Sequence, residues 1–173
     1  MTTNLDIVAH EKESLLRSYD REHATTMRVL RAYPKDKLDL RPHEMSKSAR
    51  ELGWLFVGER HMGTFAFKGG FSSGSMPGKM PPAPESWDDV LKALEDAQSN
   101  WVKMIRDTSD EDLNKTIKFF SGPKMMGDVR RIDFLWSMLM DEIHHRGQFS
   151  IYLRMAGGKV PSIYGPTADE PWN

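Results

Sequence analysis

Hydrophobic positions recur along most of this chain at helical spacing. From Asn4 to Tyr33 there is no Gly or Pro, and Val8, Leu15, Tyr19, Thr26, Leu30 and Tyr33 fall on one side of a helix. A long amphipathic helix is expected there, ended at Pro34. After the turn-rich PKDKLDLRPHEMS, Ser46 or Ser48 can cap a second helix with the stripe Leu52, Leu55, Met62 and Ala66. It runs to about Lys68, where Gly69 and Gly70 stop it.

The stretch GGFSSGSMPGKMPPAPE, residues 69–85, has no period and is dense in Gly, Ser and Pro, so it reads as a long loop. Ser86 then caps a third helix, with Asp89 three residues on and Trp87, Val90, Leu91, Leu94, Trp101, Val102 and Ile105 as its apolar side. Residues 109–131 read as a short helix, an extended Thr116–Phe120 piece and a loop. A fourth helix starts at Arg131 or Ile132 and stops at Gly157 and Gly158, followed by the proline-punctuated tail VPSIYGPTADEPWN. The resulting expectation is an all-α fold: a single domain, residues 1–173, folded as a four-helix bundle whose long connections permit a crossover.

Composition and charge narrow the partners. Twenty-four Lys plus Arg against twenty-five Asp plus Glu leave a net charge of −1, which gives no field for nucleic acid or an anionic membrane. No cysteine is present, which removes disulfides, zinc fingers and thiol nucleophiles of the chain itself. The first residues show no basic segment leading into an apolar one, and acids interrupt the hydrophobic runs. A soluble, cytoplasmic protein is expected, with a small molecule as its ligand.

Candidate chemistry concentrates in MDEIHHRGQFSIYLRMAGG, residues 140–158. Steps of three and four place Phe134, Met138, Asp141, His145, Gln148 and Tyr152 on one stripe, with Asp141 and His145 a turn apart. That spacing allows one helix to give two ligands to one metal ion, and equally allows a plain Asp–His hydrogen bond on a wet face. His144 lies roughly 100° round the helix, with Met140, Gly147 and Ile151, and can support the pocket only from its flank. A third ligand must come from another helix. Glu59 sits on the apolar stripe of the second helix, where a carboxylate is unfavourable unless it has a cation or a metal as partner. His61 projects to the wetter side, His23 reads as a hydrogen-bonded core residue, and His10 and His43 have no evident partner. Trp54 and Trp136 are expected to be at least partly buried.

The motifs HHRGQ, YLRMAGG and PSIYG, with LRPHEMSKSARELGWLFVGE upstream, resemble the DinB (damage-inducible) family and its YfiT-like metal-dependent hydrolases. The resemblance implies a four-helix bundle, often dimeric, with a divalent ion such as Ni or Zn on three histidines. One of these comes from the second helix and two, spaced H-x-x-x-H, from the fourth. In this chain the last falls on His145, the position four residues earlier is Asp141, and the second-helix position falls on Leu55, or on Trp54 if the alignment slips by one. One histidine of three is thus kept. Glu59, a turn beyond Leu55, is the candidate for completing a set with Asp141 and His145.

Two functions follow. In the first, a metal-dependent hydrolase or thiol S-transferase acts on a small molecule through Glu59, Asp141 and His145, beside a pocket of Leu55, His144, Gln148 and Tyr152. In the second, a bundle without metal binds a small molecule or serves in stress without catalysis. No residue is assigned a catalytic role from sequence, and a homodimer is expected from the resemblance.

Overall fold

The computed structural model describes residues 4–172. Its long helices are α1 (Asn4–Arg31), α2 (Ala49–Phe67), α3 (Trp87–Asp107) and α5 (Arg131–Met155), with a short α4 (Asp110–Asn114) before the last. Each expected stripe residue of α1 and α3 is buried, from Val8 to Tyr33 and from Trp87 to Ile105. Burial of these faces is the main stabilising term of the fold, because short amphipathic helices are marginal in isolation.

Local chemistry sets the helix ends. Ser48, the second of the two expected caps, forms a complete capping box at α2: its Oγ accepts from the Glu51 amide at 3.2 Å, and the Glu51 carboxylate accepts from the Ser48 amide at 2.7 Å. Ser86 caps α3 through the Asp89 amide. At the end of α5, Gly157 adopts φ 81°, and the amides of Gly157 and Gly158 return to the carbonyls of Arg154 and Leu153. This left-handed stop satisfies two of the helix's last carbonyls and is open to Gly at no steric cost.

In the bundle, α1 packs on α3 and α5, and α2 packs on the same two helices. The consecutive helices α1 and α2 therefore stand on a diagonal, as do α3 and α5, and the chain crosses the bundle between α1 and α2. Close approach of α2 and α3 depends on glycine: the indoles of Trp87 and Trp101 sit where Cβ atoms on Gly53 and Gly63 would be.

The all-α expectation needs correction. Thr116–Gly122 (β1) and Met125–Arg130 (β2) pair as an antiparallel hairpin, with Ile117 opposite Val129 and Phe119 opposite Gly127. The extended Thr116–Phe120 piece is as expected, but the following residues are its partner strand and not a loop. MMGDVR carries no apolar alternation, so pairing with β1 supplies what its own pattern lacks. Phe119 anchors the hairpin on the bundle, its ring 4.7 Å from that of Phe134. The 69–85 connection also begins with a short 3₁₀ turn, Gly70–Ser73. Among the described residues no helix is long and apolar enough to cross a membrane.

Candidate metal centre

The middle of α5 presents two polar faces to the bundle. The more deeply buried one runs through Leu135, Leu139, Glu142, Arg146, Phe149 and Leu153. Glu142 accepts hydrogen bonds from Thr26 Oγ1 at 2.8 Å and from the Arg60 guanidinium. Arg60 also donates Nε to Gln98 Oε1 at 2.8 Å, and its guanidinium lies over the rings of Tyr19 and Trp101. A turn further along, Arg146 donates to Glu22 Oε2 at 2.8 Å and to the Tyr164 hydroxyl at 2.7 Å. Tyr164 in turn donates to Glu22 at 2.6 Å, so the tail closes over this pair. Burial works against ionisation of Glu22, but hydrogen bonds from Tyr164, Arg146 and Arg21 outweigh it and hold its carboxyl below the usual range.

The sequence pattern had given Glu22, Arg60, Glu142 and Arg146 no place in the fold. The available signal was periodicity, since Glu142 and Arg146 continue the spacing of Leu135, Leu139, Phe149 and Leu153.

The second face carries the expected site, at the edge of the buried side. Phe134, Met138 and Tyr152 are buried, Asp141 and His145 half-buried, and Gln148 exposed. Glu59 on α2 is only 3% exposed and meets this face. His145 Nδ1 stands 3.0 Å from Glu59 Oε1, 3.5 Å from Asp141 Oδ1 and 2.9 Å from the Asp141 carbonyl oxygen. That nitrogen has one hydrogen to give, and its direction favours the carbonyl. Glu59 is therefore close to an imidazole, yet neither of its oxygens accepts a hydrogen bond among the described residues. Burial pushes the Glu59 carboxyl above its ordinary value, with His145 pulling the other way. His145 is itself held above its ordinary value, chiefly by Glu59 and against its own burial.

A buried carboxylate without a donor is the kind of exception that calls for a ligand or an ion. The donor atoms of Glu59, Asp141 and His145 lie within 4.8 Å of one another, and among the described residues no other three His, Asp or Glu side chains are so placed. Two ligands of one ion, each about 2.1 Å from it, are roughly 3.0 to 3.5 Å apart, which is the spacing of His145 Nδ1 from both carboxylates. Nδ1 becomes a ligand only on giving up the hydrogen it offers the Asp141 carbonyl, because a metal takes the deprotonated nitrogen. The donor set thus fits a divalent cation.

A cleft of about 510 Å³ opens beside His145, lined by Pro42, Lys47, Leu52, Leu55, Gln148 and Tyr152, among others. Tyr152 turns its ring to the cleft while its hydroxyl donates to the Lys47 carbonyl at 2.9 Å. Gln148 is not directed along the His145 axis: its Nε2 donates to His144 Nε2 at 2.9 Å. His144 is exposed and faces a neighbouring depression of about 420 Å³ with Met62, Met140 and Asp141. His145 and Asp141 thus stand between two hollows. His10, His43 and His61 are exposed. His23 is half-buried with an unpartnered Nδ1, and burial lowers its pKa. Trp54 and Trp136 are both half-buried, as expected.

The sequence model of the DinB family matches residues 1–172. The chain belongs to the DinB family. The solved DinB-like protein of Bacillus cereus ATCC 10987 superposes with a TM-score of 0.74 at 21% identity, covering 88% of this chain and 97% of that one. YfiT from Bacillus subtilis, described as a probable metal-dependent hydrolase with an unusual four-helix bundle topology, superposes at 0.65 with 13% identity, covering 86% and 89%. At these identities the likeness shows a shared fold. The uncharacterized Bacillus subtilis protein YrdA is 28% identical over 95 residues, and the match spans about half (54%) of each chain. With the DinB fold in view, the departures from three histidines take a physical form. Leu55 lines the same cleft as His145, while Trp54 donates its indole N–H to Pro81 in the 69–85 connection. At this wall α2 presents Leu55, and one turn along Glu59 brings a carboxylate oxygen to 3.0 Å from His145 Nδ1.

Proposed function

We propose that Glu59, Asp141 and His145 hold a divalent cation and that, with the adjoining cleft, they act on a small molecule in a metal-dependent hydrolysis. The observation that carries this reading is the Glu59 carboxylate, buried, without a hydrogen-bond donor, and facing His145 and Asp141. An ion in such a centre supplies an acidified water or thiol as nucleophile near neutral pH. The chain's own groups do the rest. Leu52, Leu55 and Tyr152 exclude water from an apolar part of the substrate, and Gln148 and Lys47 offer donors at the rim. Asp141, half-buried on the side of the neighbouring depression, can accept a proton from an incoming nucleophile on the oxygen that does not hold the ion.

Thiol S-transfer uses the same activation, with the thiol brought by a cosubstrate because the chain has no cysteine. The experiment is a panel of uncharged esters, amides and lactones, alongside an electrophile with a series of small thiols, offered to protein loaded with Mn2+, Zn2+ or Ni2+. Turnover that disappears with chelator and in Glu59→Gln supports the reading, and its hydrolytic or thiol-dependent form separates the two reactions. A metal-free binding role has its own supporting observation: Leu55 replaces a ligand with an apolar wall. Saturable ligand binding that is indifferent to chelator and to Glu59→Gln would establish that role instead.

A further inference from the structure

The donor set of this centre differs from three imidazoles in both hardness and charge. Imidazole nitrogen suits Zn, Ni, Cu and Fe, whereas carboxylate oxygen suits Mn, Mg and Ca. Glu59 and Asp141 supply two carboxylates against the single imidazole of His145. Three neutral imidazoles leave the full double positive charge of an ion in place, while two carboxylates cancel it. The structure also shows why the nitrogen count cannot rise. Leu55 fills the cleft wall on α2, and His144, whose ring centre is 5.2 Å from that of His145, is turned to the next depression with its Nε2 engaged by Gln148. Beyond His145, Glu59 has no ion-pair partner among the described residues, since Arg60, its neighbour in sequence, is directed to Glu142 and Gln98.

We infer that this centre, resting on the metal reading above, is tuned to a hard, oxygen-preferring ion, Mn2+, and favours Zn2+ and Ni2+ over Mn2+ far less than a histidine-rich centre on the same scaffold would. The carboxylates bring negative charge to the ion, which strengthens binding of a cation that gains little from nitrogen donors. Replacing either Asp141 or Leu55 by His adds the missing nitrogen at the position the bundle offers for it.

Mn2+ in solution gives a sharp six-line electron paramagnetic resonance signal that is lost on binding, so a titration reads affinity and stoichiometry without any assay of turnover. Wild-type protein, Asp141→His and Leu55→His are titrated with Mn2+, and the bound ion is then competed with Zn2+ and Ni2+. Leu55→His keeps both carboxylates and serves should Asp141→His fail to fold, which circular dichroism reports. The expected result is one Mn2+ per wild-type chain and a Zn2+-to-Mn2+ affinity ratio that rises roughly tenfold or more in the histidine variants. The inference is overturned if the ratio is the same in all three proteins, or if the wild type takes up Zn2+ or Ni2+ while leaving millimolar Mn2+ free. In that second case the metal reading itself stands. If no ion binds the wild type, both fail together.

Discussion

On one face of α5, Glu142 and Arg146 meet Arg60 and Glu22 in the interior, while on the neighbouring face Asp141 and His145 meet Glu59 at the wall of a cleft. Both clusters place carboxylates out of water, but they treat them differently. Glu142 and Glu22 each accept hydrogen bonds from a guanidinium and a hydroxyl, whereas Glu59 accepts none among the described residues. Buried charge that is fully met by donors holds helices in place, and removing one partner leaves the other stranded. Openness alone does not mark the difference, because Arg60 Nη1 and Gln98 Nε2 in the first cluster also lack partners among the described residues; Glu59 is set apart as an open acceptor that faces two further ligating groups. By this difference the Arg146 cluster reads as structural, and the Glu59 cluster is the one proposed to hold an ion.

The largest expected effect lies in the structural cluster. Arg146→Ala removes the buried cation of Glu22 and leaves it Tyr164 and the exposed Arg21 as donors, so the loss should lie near the lower end of the about 3 to 5 kcal/mol that breaking a buried pair costs. For a chain of this length the thermal midpoint should fall by roughly 10 °C, with metal uptake of the folded fraction retained. A fall of only a degree or two would remove the distinction between the clusters.

The next effect is on acid stability. Because Glu22 has a depressed pKa in the folded state, the stability it contributes is present above the unfolded value, about 4.3, and is lost as pH falls through the lower folded value. Tyr164→Phe removes one donor to Glu22 and should shift the acid unfolding midpoint to higher pH, leaving stability near neutrality less altered. An unchanged acid midpoint would show that the tail does not support the pair.

In the open cluster the expected change of stability has the opposite sign. Glu59→Leu replaces a buried carboxyl that accepts no hydrogen bond among the described residues by an apolar group, and the thermal midpoint without metal should stay level or rise by a few degrees, on the order of 1 kcal/mol. A large fall would mean that Glu59 is a structural partner of His145. The smallest effect is expected from chelation: the far-UV helical signal should not change, since neither hydrophobic cluster of the core includes Glu59, Asp141 or His145. Loss of helicity with chelator would tie the fold to the metal.

Much of the bundle was readable from sequence because its stripes are apolar and its stops are Gly and Pro. Val8 to Tyr33 and Trp87 to Ile105 needed only period and cap. The hairpin's second strand was not readable, because Met125–Arg130 becomes a strand through its partner and not through its own residues. The site was readable in part. Asp141 and His145 share a helix, and Glu59 stood out as a carboxylate on an apolar stripe. The Glu22, Arg60, Glu142 and Arg146 network was missed because a charged residue is ordinarily solvated, and its burial depends on partners up to 124 residues away in the chain. Gln148 was placed on the His145 axis by period alone, and its hydrogen bond to His144 turns it aside.

The most direct test of the functional assignment is metal content by elemental mass spectrometry. Protein purified without an affinity tag would be incubated with Mn2+, Zn2+ and Ni2+ and then freed of unbound ions, as wild type, Glu59→Gln and Arg146→Met. One divalent ion per chain in the wild type and in folded Arg146→Met, with none in Glu59→Gln, is the predicted outcome. An ion-free wild type, or a Glu59→Gln variant that binds as the wild type does, would contradict the claim that the open carboxylate is there for a metal.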